Sequence, residues 1–312
     1  MRIAVVDVGT NTTRLYVAEV TEAGVGAELT RVSQVTRLGA GVDCTGLLAP
    51  DALAREYAVL QAYAETIRSS RVDRAVAVMT SAVRDAANGG EFAGQVAARF
   101  GLDVHILSGE LEAQLTYQGA AGDGWNPPAS GDQAETTLVF DIGGGSTEIV
   151  LGHGPAPDFH VSTQAGVVRQ ADRHIRSDPP TEPELRAVAE DVRAVLSEAV
   201  PAARRTQPER AIGVAGTPTS LAAIAQQLEP YDPARVHGYR VRAAERDAIF
   251  ARLASMPLTE RQRVPGLHPD RALAILPGVV ILAEVMALFG LAEIEVSEHD
   301  ILRGAALHYA SC

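Results

Sequence analysis

The chain opens on IAVVDVG (3–9), an apolar run interrupted only by Asp7, in which β-branched residues lead to a glycine. RLYVAEV (14–20) follows after a short polar turn, so the opening reads as strand, turn, strand. The period then changes. Leu53, Tyr57, Leu60, Tyr63, Ala64 and Ile67 recur at helical spacing within 51–70. AVAVMT (75–80) reads as a buried strand, with a helix starting in TSAVRDAAN. DVHILSG (103–109) is a further strand, and ELEAQLTYQGA continues it as helix. Strands alternating with helices predict an α/β domain.

GDGWNPPASGDQAE (122–135) has no period and is rich in Gly, Pro and acidic residues, which marks a linker. Beyond it the opening returns. VFDIGGGSTEIVL (139–151) repeats VVDVGTNTTRLYV (5–17), with Asp141 over Asp7, Gly143 over Gly9 and Thr147 over Thr13, each pair 134 positions apart. That offset is too long for a solenoid and predicts two related domains. A helix follows TEPE (181–184), where Thr181 and Glu184 form a capping box and an acidic first turn suits the dipole. AIGVAG (211–216) reads as a strand, with Thr217 as N-cap and Pro218 as first residue of the next helix. VRAAERDAIFARLA (241–254) is helical. An apolar helix within 273–290, the strand IEVS (294–297) and a helix from about Ile301 close the chain. Pro277, Gly278 and Glu284 interrupt the apolar stretch, which favours a buried helix over a membrane span.

With 312 residues the chain has room for two domains, divided here as 1–124 and 125–312, the last helix packing back on the first domain. Only Cys44 and Cys312 are present, without metal-ligand spacing, which fits a reducing cytosol. The start shows no charged segment, apolar stretch and cleavage site of a leader, so a cytoplasmic location is expected. The formal charge of −12 argues against general nucleic-acid binding. An anionic substrate would therefore need local donors and cations; salt screens the overall field beyond about 8–10 Å.

The repeated turn supplies such donors. Glycine after a buried strand lets the backbone approach a ligand, and successive N–H groups form an anion-binding nest. Thr10, Asn11, Thr12 and Ser146 add hydroxyls and an amide. Asp7 and Asp141 stand at the strand ends, where each can hold a cation directly or through water. Half a dozen charge-assisted hydrogen bonds, each worth roughly 1.5–3 kcal/mol, suffice for micromolar affinity (~8 kcal/mol) after association costs.

Three more strand-to-helix junctions carry chemistry. In MTSAVRDAAN (79–88), Thr80 or Ser81 caps the helix and Arg84 lies in its first turn, where an anion between them would explain the cation. In SGELEAQL (108–115), Glu110 and Glu112 stand about 200° apart round a helix, so only one faces a given site, and spacing leaves both open. AGTPTSLAAI (215–224) offers Gly216 and Thr217 to a second phosphate. The histidines are scattered, and the absence of a G-x-S-x-G elbow gives nucleophilic hydrolase chemistry little support.

DVGTNTTRL, TSAVRDA, SGELEAQL, DIGGGSTE, AGTPTSLAA, LPG and SEHDILRG, in that order, resemble the exopolyphosphatase and guanosine pentaphosphate phosphatase family over essentially the whole chain. The resemblance implies two ribonuclease-H-like α/β domains of the actin, sugar-kinase and Hsp70 superfamily, with a phosphate-binding interdomain cleft. It implies Mg²⁺-dependent release of terminal orthophosphate from inorganic polyphosphate. The alternatives are a guanosine pentaphosphate 5′-phosphohydrolase, an ATPase or kinase of the superfamily, and a non-catalytic sensor of polyphosphate or of guanosine penta- and tetraphosphate. It places the catalytic base at Glu112 rather than Glu110, and metal- and water-positioning carboxylates at Asp141 and Glu148. Phosphate contacts fall on Gly9, Asn11, Arg84, Gly143, Gly144, Gly145, Ser146, Gly216 and Thr217. The family further implies a homodimer. Thr10 stands where the family has Ser, Gln114 where an Arg is common, and the chain has the length of the short, two-domain form.

Overall fold

The computed structural model describes residues 1–122, 135–154 and 156–311. The chain forms two compact units, Met1–Gly119 with Ile301–Cys312, and Ala120–Asp300. The predicted linker lies almost wholly outside the described residues.

The first unit holds β1 (Arg2–Val8), β2 (Thr12–Thr21), β3 (Gly24–Val35), β4 (Arg74–Met79) and β5 (Asp103–Ile106), in sheet order β3-β2-β1-β4-β5. β1 to β3 form an antiparallel meander, while β4 runs parallel to β1 and β5 parallel to β4. The apolar run of β1 is explained by burial on both faces. Ala4, Val6 and Val8 pack with Leu60, Tyr63, Phe92 and Val96 of helices Pro50–Ser69 and Gly89–Phe100. Ile3 and Val5 pack with Leu115, Leu302 and Ala305 of helices Gly109–Ala121 and Ile301–Ala310. Gly304 lets these last two helices touch, because a Cβ there would run into the Leu115 carbonyl.

β3 was not legible in the sequence: most of its side chains are exposed, so no apolar run marks it. TSAVRDAAN also gives less than one helix. Ser81–Asp85 ends at Ala86, and a separate helix begins at Gly89, whose Cβ would collide with the Val83 carbonyl.

The second unit repeats the plan. β6 (Thr136–Ile142), β7 (Thr147–His153) and β8 (Ala156–Thr163) form the meander; β9 (Arg210–Val214) runs parallel to β6, β11 (Glu293–Val296) parallel to β9, and β10 (Arg240–Arg242) antiparallel at the edge. The order is β10-β11-β9-β6-β7-β8. A meander extended by parallel strands, with helices on its faces, is the ribonuclease-H-like α/β arrangement, present twice. The helix Glu182–Ala199 carries the capping box: Thr181 accepts from the Glu184 N–H, and Glu184 accepts from the Thr181 N–H at 2.7 Å. The backbone N–H groups of Thr181 and Arg176 hold the Glu184 carboxyl down at about 2. The apolar stretch becomes helix Ile275–Leu288, largely buried, with Pro277 in its first turn where no N–H is needed. Among the described residues no helix is long and apolar enough to cross a membrane.

Candidate active site

In the first unit β1, β4 and β5 end at one edge of the sheet, with Val8 beside Met79 and Met79 beside Ile106. Ligands of α/β sheets bind at the carboxyl ends of the strands. Backbone bonds tie the three exits together: Thr80 N–H to the Val8 carbonyl at 3.2 Å and Leu107 N–H to the Met79 carbonyl at 2.9 Å. The turn leaving β1 closes with Gly9 N–H on the Thr12 carbonyl at 3.1 Å, and a Cβ on Gly9 would stand 2.8 Å from that oxygen. Thr10 is buried, and its Oγ1 shares a 2.8 Å hydrogen bond with Ser81 Oγ, fastening the turn to the next junction. Asn11 and Thr12 are half-buried. The Asn11 carbonyl accepts from Thr36 and Arg37 N–H at 3.1 and 3.0 Å, and the Thr10 carbonyl from Gly39 N–H at 2.8 Å. Segment 36–39 therefore straps the turn.

Arg84 donates through Nη1 to the Glu112 carboxylate at 2.8 Å and to the Leu107 carbonyl at 3.0 Å. Glu112 is 7% exposed, whereas Glu110 is exposed. Arg84 thus has a carboxylate partner within its own unit. Asp7 has a guanidinium partner: directly across the β1–β2 pair, Arg14 reaches Asp7 Oδ2 through Nε at 2.9 Å and Nη2 at 2.6 Å. The cation beside Asp7 is the chain's own guanidinium, which corrects the symmetrical expectation of a cation site at both strand ends.

In the second unit β6, β9 and β11 share an edge, Asp141 beside Val214 and Gly213 beside Val296. Gly143 N–H meets the Ser146 carbonyl at 3.0 Å, the same closure as in the first turn. The N-terminus of helix Val167–His174 braces it. Val167 and Val168 N–H donate to the Gly143 and Gly144 carbonyls at 3.0 and 2.8 Å, and Arg169 Nε donates to the Gly145 carbonyl at 2.9 Å. This approach requires Gly166, whose Cβ would enter the Gly144–Gly145 backbone. Opposite Asp141 stands Glu148, and the two are 8% and 1% exposed. Glu148 accepts from Ser162 Oγ at 2.7 Å.

Residues directly opposed on antiparallel strands project from the same face. Two buried carboxylates so placed repel one another, and a cation relieves the repulsion. The donor set is hard oxygen. No group of three or more His, Cys, Asp or Glu that could hold a metal occurs among the described residues. Two carboxylates suit an ion that keeps water and takes phosphate oxygens for its remaining positions.

Helix Gly216–Ala225 begins two residues earlier than expected. Its N-cap is Ala215, held at φ 68, and Thr217 and Pro218 lie inside the first turn. Thr217 is not the cap because its side chain turns inward, into the space a Cβ on Gly278 would need. Gly216 faces the Arg271 guanidinium, whose Cζ would lie 3.4 Å from a Cβ at that position.

The sequence pattern of the Ppx/GppA phosphatase family matches residues 16–307. The chain belongs to that family. Exopolyphosphatase 2 of Mycobacterium tuberculosis is 37% identical over 324 aligned positions, covering 99% of this chain and 98% of the relative. The crystal structure of an exopolyphosphatase-like protein superposes with a TM-score of 0.89 at 32% identity, covering 100% of this chain and 99% of that one. The Aquifex aeolicus Ppx/GppA structure superposes with a TM-score of 0.81 at 29% identity, over 100% and 98%.

Within this Ppx/GppA framework the first unit gathers Gly9, Thr10, Asn11, Thr12, Arg84 and Glu112 about one sheet edge, and the second gathers Asp141, Gly143, Gly144, Gly145, Ser146, Glu148, Gly216 and Thr217. Sequence reasoning missed three arginines. Arg14 was visible in the repeat itself, because it occupies the position that Glu148 occupies 134 residues later. Arg169 and Arg271 come from segments without a glycine motif of their own, and only folding brings them to Gly145 and Gly216.

Proposed function

We propose that this protein is an exopolyphosphatase, a phosphoanhydride hydrolase that releases terminal orthophosphate from inorganic polyphosphate with Mg²⁺. The observation that carries the reading is the 2.8 Å pair of Arg84 and Glu112 at the strand edge that bears the first glycine turn. Family membership and the 37% identity to a mycobacterial exopolyphosphatase support it.

In this reading Gly9 to Thr12, Gly143 to Ser146, Gly216 and Thr217 hold phosphate oxygens through N–H groups and hydroxyls. Arg84 exchanges Glu112 for the oxygens of the incoming terminal phosphoryl group. Glu112, relieved of its cation, orients a water and accepts its proton as the water oxygen bonds to phosphorus. The anhydride P–O bond breaks, and the shortened chain leaves with the electron pair. Asp141 and Glu148 are the residues that would hold Mg²⁺, which when bound neutralises charge on phosphoryl oxygens. Such transition states are loose, so positioning and charge neutralisation carry most of the rate.

The test is orthophosphate release from long-chain polyphosphate and, separately, from guanosine pentaphosphate, with and without Mg²⁺. Mg²⁺-dependent release from polyphosphate is expected to dominate. Turnover of guanosine pentaphosphate alone, or binding without release from either, would overturn the reading.

A further inference from the structure

Glu56 lies in the middle of helix Pro50–Ser69 on its buried face, between Ala52 and Leu60, and is 0% exposed. Both its carboxylate oxygens stand 2.8 Å from Thr13 Oγ1, the first side chain beyond the glycine turn. The Thr36 hydroxyl is its second partner and lies 3.3 Å from Thr13 Oγ1. Thr36 begins the strap over Asn11, and Arg55 Nε holds the Thr36 carbonyl at 3.0 Å. Tyr63 OH, two turns further along the same buried face, donates to the Thr13 carbonyl at 3.0 Å. One carboxyl therefore joins the end of the turn to the beginning of its strap.

A buried carboxylate whose partners are two hydroxyls is a poor way to gain stability, since hydroxyls compensate lost hydration only in part. The charged and titratable groups facing it are Asp7 on β1, whose negative charge opposes that of Glu56, Arg14 on β2, which is engaged with Asp7, and Tyr63 and Arg55 on its own helix. Burial pushes the Glu56 carboxyl up to about 7, with Asp7 adding to the shift.

We propose that Glu56 is a positioning residue that couples anion binding at the Gly9–Thr12 turn to uptake of a proton. This rests on the assignment of that turn to phosphate. With the turn empty, the ionised carboxylate accepts from the Thr13 and Thr36 hydroxyls. When a phosphate group enters, two unscreened negative charges would share one buried region. One proton from solvent then adds to a Glu56 carboxyl oxygen. The neutral acid donates to Thr13 Oγ1, reversing that hydrogen bond and leaving the link intact. A buried like-charge repulsion of this kind changes binding by on the order of tenfold.

Sulfate is the probe, because it stays a dianion across the working range. Its affinity is measured calorimetrically in the full chain at about pH 6 and about pH 8.5 for wild type and Glu56→Gln, in buffers of different ionisation heat. Wild type should bind roughly tenfold more weakly at the higher pH and take up protons on binding. Glu56→Gln, a neutral isostere, should bind equally at both and take up none. With polyphosphate, the variant's change should appear in the pH profile of KM rather than in kcat. Equal pH dependence in the two proteins, or no proton uptake by wild type, would overturn the Glu56 assignment even if polyphosphate is hydrolysed normally. Glu56-dependent proton uptake in a protein that releases no phosphate would uphold it and overturn the hydrolase reading instead. No sulfate binding by either protein would overturn both.

Discussion

The two glycine turns share a backbone and differ in charge. Each closes through the N–H of its first glycine, at 3.1 Å on Thr12 and 3.0 Å on Ser146, and each follows a strand whose next-to-last residue is a buried aspartate. Across the hairpin from Asp7 stands Arg14; across from Asp141 stands Glu148. One side chain at equivalent positions turns an Asp–Arg pair into a pair of facing carboxylates. Their bracing differs as well: a loop, Thr36 to Gly39, straps the first, and a helix N-terminus the second. A duplicated motif therefore need not carry duplicated chemistry. In the proposed assignment the first unit carries the base and a phosphate cradle, and the second the metal.

The sharpest break in this division comes from Glu112→Gln. Removing the base should lower kcat by about 10²–10⁴-fold, measured as orthophosphate release, while binding of a divalent cation persists. Next comes Glu148→Arg, which gives the second turn the charge pattern of the first. Isothermal titration with Mg²⁺ should then show metal affinity falling at least about tenfold, with activity lost alongside it. Arg14→Leu attacks the first turn from the other side. It leaves Asp7 buried without its guanidinium and should cost about 3 kcal/mol in urea unfolding.

Glu56→Gln has an effect of at most similar magnitude, whose size depends on pH. The folded-state value, about 7, lies above the ordinary 4.5, so the unfolded chain ionises first and stability falls as pH climbs between those values. The variant should gain little over wild type near pH 5 and up to about 3 kcal/mol near pH 8, read from paired thermal melts. Smallest is Thr10→Val, which removes the 2.8 Å tie to Ser81 and should cost about 1 kcal/mol of unfolding free energy.

Much of the fold was legible because it rests on local signals. The run IAVVDVG marks a strand buried on both faces, and T-E-P-E marks the capping box at Thr181 and Glu184. β3 escaped because its exposed side chains give it no hydrophobic signature. The glycine motifs pointed to the turns, and resemblance separated Glu112 from Glu110, a choice that spacing left open. What spacing cannot reveal is tertiary pairing. Arg84 meets Glu112 only because β4 and β5 end side by side, and Arg271 reaches Gly216 only when a distant loop folds back. Glu56 belongs to no motif, although Ala52 and Leu60 on either side place it on the buried face. The identity most open to reading and least noticed was Arg14 over Glu148, two letters of the repeat that separate the charge patterns of the two turns.

The most direct test of that asymmetry counts bound Mn²⁺ by electron paramagnetic resonance, independently of turnover. Wild type and Asp7→Asn should bind the ion with the same affinity, whereas Asp141→Asn and Glu148→Gln should each bind it at least about tenfold more weakly. Loss of binding in Asp7→Asn, with binding retained in Glu148→Gln, would contradict the assignment of the metal to the second turn.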